Sequence, residues 1–286
     1  MDGILIIKKE KGYTSRDIVN IVGKIFNTKK IGHTGTLDPM AEGVLVLCMG
    51  KALKVCELLV NHNKEYIAEI VLGIETDTLD MEGNVVSTRT VDIDEEQIVE
   101  AVNSFKGKYW QEVPKYSAVK IKGKKLYEYA REGLEVELPK REVNIMDINV
   151  CDNVEYKNGL IYFKIKCLVS KGTYIRSLVR DIGNSLNCPA TMNGLVRLKQ
   201  GNFNIEDAWS IDDIKLGKYR LLDITEAFPD IPKIKVNKDI AFKVKNGVIL
   251  DNFFDSELAF LYDEGGNLLA LYKKENNKCR SYKMFI

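Results

Sequence analysis

Residues 161–169 alternate strictly, with Ile161, Phe163, Ile165, Cys167 and Val169 on one side and Tyr162, Lys164 and Lys166 on the other. A period of two makes this a half-buried β-strand, so the sheet it joins is covered on one face and wet on the other. The period then changes. After Gly172-Thr173, the residues Ile175, Leu178, Val179, Ile182 and Leu186 form a helical stripe that ends near Asn187-Cys188-Pro189.

The N-terminal part shows the same mixture. Ile4-Leu5-Ile6-Ile7 reads as a strand, and Thr14-Ser15 with Asp17 marks a helix start whose apolar positions Ile18, Val22 and Ile25 carry it to about Phe26. A turn bearing Gly32 and Gly35, then Asp38-Pro39, leads into a buried strand over Val44 to Met49. Tyr66 to Leu72 reads as a strand and Asp94 to Phe105 as a helix. Strands and helices mix without the regular alternation of a doubly wound fold, so the expected class is α+β. The 286 residues allow one large and one small domain. Pro229 and Pro232 mark a linker, giving domains over 1–228 and 229–286. In the second, short apolar runs (Ala241 to Val244, Val248 to Leu250, Leu258 to Tyr262, Leu268 to Tyr272) between glycine-bearing turns predict a small β module.

Composition narrows the chemistry. The six cysteines form no CxxC pair and no zinc spacing, and are expected to be buried free thiols. Only His33 and His62 are available, which excludes a histidine-rich metal centre. No apolar run approaches the roughly 18 residues of a membrane span, and the start lacks the marks of a secretory signal, so a cytoplasmic location is expected. Net charge is only +1, yet Lys106 to Arg141 holds ten Lys/Arg against five Glu. That segment is either a nucleic-acid surface or a plain solvated face.

The sharpest motif is Gly32-His33-Thr34-Gly35-Thr36-Leu37-Asp38-Pro39-Met40-Ala41-Glu42-Gly43. On its residues alone it is a turn carrying a carboxylate beside a histidine and two hydroxyls. Its pattern resembles GHTGxLDPxAxG, the catalytic motif of the TruB family of tRNA pseudouridine-55 synthases. Further family elements recur in order: Lys64-Glu65-Tyr66, Gly73 to Asp80, Gln111 to Lys120 continuing to Arg131, and Ser170 to Ser177. The similarity spans about residues 4 to 205, and the tail resembles a PUA-like domain. Departures occur at Lys8-Lys9-Glu10, at Val113 and at Val196.

The resemblance implies a mixed, largely antiparallel sheet of the pseudouridine synthase type. It assigns the essential carboxylate to Asp38, its ion-pair partner to Arg176, and a place against the uracil face to Tyr66. Substrate contacts fall to His33 in the rearranged RNA loop, Tyr174 and Leu195 in the pocket, and Lys115 and Lys120 in the basic insertion over 106–141. The implied reaction isomerises uridine 55 in the T-arm stem-loop of tRNA by a monomer, with no cofactor, metal, guide RNA or membrane. Rival readings are a non-enzymatic RNA-binding protein, a metal-dependent phosphotransferase or hydrolase on Asp77, Asp80 and Glu82, and a guide-RNA-dependent synthase. The second lacks a phosphate-cradling loop, and the third lacks the usual lysine-rich extensions.

Overall fold

The computed structural model describes residues 1–286. Its main sheet contains β1 (Gly3–Lys9), β2 (Ile31–His33), β3 (Glu42–Met49), β4 (Lys64–Leu72), β5 (Gly107–Glu112), β6 (Lys140–Val150), β7 (Leu160–Val169) and β8 (Ala190–Gln200). β2 lies on β3, and the rest run in the order β1-β3-β8-β4-β7-β6-β5. Along this order neighbours are antiparallel except β3 and β8, which are parallel and meet only at Val196–Glu42 and Arg197–Gly43. The helices of this domain include α1 (Ser15–Ile25), α2 (Glu95–Ser104), α3 (Leu126–Arg131) and α4 (Ile175–Ser185).

The two halves of the sheet are covered differently. Ile161, Phe163, Ile165, Cys167 and Val169 of β7 pack with Ile98 and Val102 of α2 and with Leu178 and Ile182 of α4. On the opposite face of this half, Lys166 pairs with Glu65 at 2.8 Å, a polar surface suited to water. At β1 and β3 both faces are buried. Ile4, Ile6, Val44 and Val46 pack on one side, while Leu5, Ile7, Leu45 and Leu47 meet Ile18 and Val22 of α1 on the other. The continuous apolar runs of these strands follow from this double burial.

α1 begins at a capping box, in which Thr14 Oγ1 accepts from Asp17 N at 3.0 Å and Thr14 N donates to Asp17 Oδ2 at 2.9 Å. α4 begins at Ile175, two residues beyond the expected Gly172-Thr173, which instead form the turn before it. The basic insertion is also narrower than the expected 106–141. Residues 107–112 and 140–145 are paired sheet strands, and the excursion out of the sheet runs from 113 to 139 with α3 and the short strands Lys120–Ile121 and Lys124–Lys125.

The C-terminal part contains β9 (Lys233–Lys235), α5 (Lys238–Lys245), β10 (Leu250–Asp251), β11 (Leu258–Tyr262), β12 (Leu268–Glu275) and β13 (Lys278–Met284). Its five strands form one sheet in the order β9-β11-β12-β13-β10. One expectation is corrected here: Ala241 to Val244 belongs to helix α5. Asn237 caps it by accepting from Ile240 N at 2.9 Å, Ala241 and Val244 point inward at helical spacing, and Phe242 between them is exposed.

The module does not hang from its linker. Phe260, Leu271 and Phe285 share a core with Ile4, Ile6, Val44, Val46 and Phe228. Polar contacts flank this core, with Lys54 Nζ donating to Met284 O at 2.6 Å and Lys283 pairing with Glu57 at 2.7 Å. No helix is long and apolar enough to cross a membrane. All six cysteines are free; Cys48, Cys167, Cys188 and Cys279 are buried, whereas Cys56 is half-buried and Cys151 is exposed.

Candidate active site

β3 and β8 meet only at two residue pairs, so the segment entering β3 lacks a strand partner on that side. Its buried backbone groups need other partners. Side chains supply them. Arg197 donates to Thr36 O at 2.8 Å, to Gly35 O at 3.1 Å and to Val44 O at 3.1 Å. Ser15 Oγ accepts from Leu37 N at 2.8 Å and donates to Leu37 O at 3.1 Å. Lys9 Nζ donates to Ala41 O at 2.5 Å and to Pro39 O at 3.3 Å. Gly43 closes the turn at φ +100°, where a Cβ would lie 2.2 Å from Arg197 O, so only glycine fits. Residues 34–41 are thereby braced from both sides, with Asp38 at the centre.

Asp38 Oδ2 lies 3.0 Å from Arg176 Nε. The Arg176 side chain is buried, and its guanidinium also donates to Thr78 O and Tyr116 O, each at 3.0 Å, and stands 3.5 Å from Asp80 Oδ2. It occupies the first turn of α4, where the helix dipole disfavours a cation, so the two carboxylates offset an unfavourable placement. Gln111 fixes this helix start by accepting from Tyr174 N at 2.8 Å and donating to Tyr174 O at 3.1 Å. The acidic residues considered for a metal do not converge. Asp77 accepts from Asn84 N at 2.8 Å, and Asp80 accepts from Thr78 Oγ1 at 2.7 Å and faces Arg176.

Five residues nominated by the sequence, Asp38, Tyr66, Tyr174, Arg176 and Leu195, line one cavity of about 350 Å³. That volume lies within the roughly 300–1,000 Å³ usual for small-ligand pockets. Tyr116 and Tyr127 close it from the 113–139 excursion. The Tyr66 hydroxyl accepts from Arg197 Nε at 3.2 Å, and the guanidinium carbon lies 5.5 Å from the ring centroid. His33 lines an adjoining cavity instead. Burial, then Arg197 and Arg16, hold its imidazole below the ordinary 6.5, and its buried Nδ1 has no partner. Lys115 and Lys120 are exposed on the excursion and reach neither cavity.

Arg197, Lys9, Lys64 and Gln200 received no role from the sequence, although all four are buried. Gln200 Nε2 donates to Thr34 Oγ1 at 2.6 Å. Burial pushes the Lys9 ammonium down to about 8, against the pull of Glu42 and Asp38. The one available signal was three long polar side chains, Arg197, Lys199 and Gln200, late in a strand next to a glycine turn.

A carboxylate held by arginine at the mouth of a tyrosine-walled cavity is an enzyme's arrangement, and the fold around it recurs in solved structures. One is a Cbf5-Nop10-Gar1 complex, with a TM-score of 0.71 and 24% identity over 99% of this chain and 85% of that one. Another is an H/ACA RNP bound to a substrate RNA containing 2′-deoxyuridine, with a TM-score of 0.69 and 23% identity over 99% and 85%. The chain thus shares the fold of these structures over almost its whole length.

Residues 23–175 match the TruB family pseudouridylate synthase N-terminal domain, and the chain belongs to that family. Among its relatives, tRNA pseudouridine synthase B of Bacillus pumilus is 40% identical over 97% of this chain and 94% of its own length. The protein of the same name from Clostridium kluyveri is 42% identical over the full length of both.

Proposed function

We propose that the protein converts uridine 55 in the T-loop of tRNA into pseudouridine, flipping the base into the cavity around Asp38. The observation that carries this reading is the Asp38–Arg176 pair facing Tyr66 across one base-sized cavity. The relatives named tRNA pseudouridine synthase B support tRNA as the substrate.

The reaction breaks the N1–C1′ bond and forms a C5–C1′ bond; C5 gives up a proton and N1 gains one. No electrons are exchanged, so no redox carrier is needed. Asp38 is the essential carboxylate, and both routes open to it, addition to the uracil ring and attack at the ribose, use its ionised form. Arg176 orients it through the planar guanidinium. Tyr66 lies against the uracil face and serves the C5 proton.

The base must leave its stack before it can react. His33, kept neutral, occupies the rearranged loop, while Tyr174 and Leu195 wall the base pocket. Lys115 and Lys120 grip phosphates from the excursion. The C-terminal domain over 229–286 adds backbone contacts. The enzyme acts as a cytoplasmic monomer on the T-arm stem-loop, without a guide RNA.

Mapping pseudouridine in an unmodified tRNA transcript after incubation with the pure protein in EDTA tests this. One new pseudouridine at position 55 is expected. Modification elsewhere, or only with a guide RNA, would overturn it.

A further inference from the structure

Beside the base cavity lies a second one of about 420 Å³, and the two share Thr36, Tyr66, Thr173 and Tyr174 as walls. Lys64, Lys171 and Arg197 stand around it, and no carboxylate lines it. Two of these cations are almost wholly buried, Lys64 at 8% exposure and Arg197 at 1%. A buried charge is costly unless it is paired with an opposite one.

Here the hydrogen bonds end on neutral oxygens. Lys64 Nζ donates to His62 O at 2.6 Å and Val60 O at 2.9 Å, and Arg197 donates to carbonyls, the Tyr66 hydroxyl and the Gln200 amide. The charges acting on Lys64 are Arg197 and Lys171, both of its own sign, and burial together with them pushes its ammonium down to about 8. Lys171 spends one bond on Asn61 Oδ1 at 2.7 Å. An ammonium has three donors, so Lys171 keeps two and Lys64 one. The chain carries a positive pocket without the anion that would balance it.

We propose that this side cavity is an anion subsite that takes a backbone phosphate next to the extruded nucleotide, the RNA itself supplying the counter-ion that Lys64 and Arg197 lack. The inference rests on the reading of an RNA substrate and extends it to a second contact. A neutral base placed there would leave the cations unpaired, whereas a phosphate pairs them. The shared wall puts the two cavities within one nucleotide's reach: a nucleotide with its base against Tyr66 carries its phosphate to the far side of Tyr174 and Thr36. Lys64 and Arg197 then act as fixed charge, and Lys171 at the mouth makes direct contact.

The test uses a T-arm hairpin in which one phosphate flanking the target uridine, on the 5′ or the 3′ side, is replaced by an uncharged methylphosphonate. Binding is followed against salt for the wild type, Lys171→Ala, Lys64→Met and, for comparison, Lys120→Ala. Lys171→Ala should weaken binding of the native hairpin about tenfold and lower the salt slope by about 0.7–0.9. One of the two methylphosphonates should do the same to the wild type, and the two losses should not add. With Lys120→Ala that methylphosphonate's loss should add in full.

Lys171 is exposed, so its removal leaves the fold intact, and thermal melting checks Lys64→Met. Unchanged affinity and slope in both variants, or losses that add fully to those of either methylphosphonate, would overturn the subsite. Failure of the underlying reading is a separate result: a wild type that binds the hairpin in this way but leaves its uridine unconverted contradicts the isomerisation and not the subsite.

Discussion

Replacing Arg197 by methionine keeps most of the side-chain volume and removes the guanidinium that ties three segments together. The loss leaves Thr36 O, Gly35 O and Val44 O, which Arg197 held at 2.8, 3.1 and 3.1 Å, without their donor, along with the Tyr66 hydroxyl at 3.2 Å. A buried acceptor left unpaired costs about 1–3 kcal/mol. Gly35 O and Thr36 O border the cavities and regain water, so the heavy cost falls on Val44 O and on the slackened loop. Against this stands relief from burying a cation without a counter-ion.

The balance is about 3 kcal/mol of destabilisation, a large share of the roughly 5–15 kcal/mol that holds a typical domain. At about 2–4 °C per kcal/mol this lowers the melting temperature by about 6–12 °C. Thermal and urea denaturation read the loss directly. Single-turnover conversion should also fall, because the segment that carries Asp38 loses its brace. A melting temperature within about 2 °C of wild type would refute the brace.

Four further outcomes follow from other parts of the molecule. Arg176→Lys keeps a charge but not the fork that reaches Asp38, Asp80 and two carbonyls, so conversion should drop about a hundredfold with RNA binding retained; near-wild-type turnover would show that the fork is not needed. Lys64 sits at about 8 in the folded chain against an ordinary 10.5, so the unfolded chain binds more protons between those values. Its destabilising charge is fully present below about pH 8 and vanishes towards about pH 10.5, so wild type should gain stability relative to Lys64→Met across that window in urea melts, and a flat or falling difference would count against it. Phe260, wholly buried with ring centroids 5.9 Å from Phe228 and 6.3 Å from Phe285, should cost about 3–5 kcal/mol on truncation to alanine, and deleting residues 231–286 should destabilise the rest of the chain. A truncated chain that melts like the full one would mean that the two parts do not share a core.

Strands with one wet face and helices with one apolar stripe were legible, because period two and period 3.6 write burial directly into the chain, as at Ile161 to Val169 and Ile175 to Leu186. Asp38 and Arg176 were legible only through motif resemblance, since 138 residues separate them and no periodicity predicts their 3.0 Å contact. Arg197 and Lys64 were not, because a polar residue on a strand normally marks the wet face. Here both serve carbonyls of irregular backbone, Arg197 where β3 and β8 part and Lys64 at Val60 O and His62 O before β4. Ala241 to Val244 failed for another reason: four apolar residues between turns fit a short strand as well as a helix, and the Asn237 cap decides. The docking of the C-terminal sheet was invisible because Phe260 and Leu271 look the same whether they pack inside their own module or against Ile4 and Val44.

The proposed function has Asp38 do the chemistry on an RNA that other residues hold. Its most direct test compares wild type with Asp38→Asn on an isolated T-arm hairpin, with no guide RNA, nucleotide or metal, measuring both hairpin binding and pseudouridine formed in a single turnover at saturating enzyme. The asparagine keeps the shape of the side chain and its reach to Arg176 but removes the nucleophilic charge. Wild type should convert the uridine corresponding to position 55, and the variant should bind the hairpin with similar affinity and form no pseudouridine. Substantial conversion by Asp38→Asn would contradict the account.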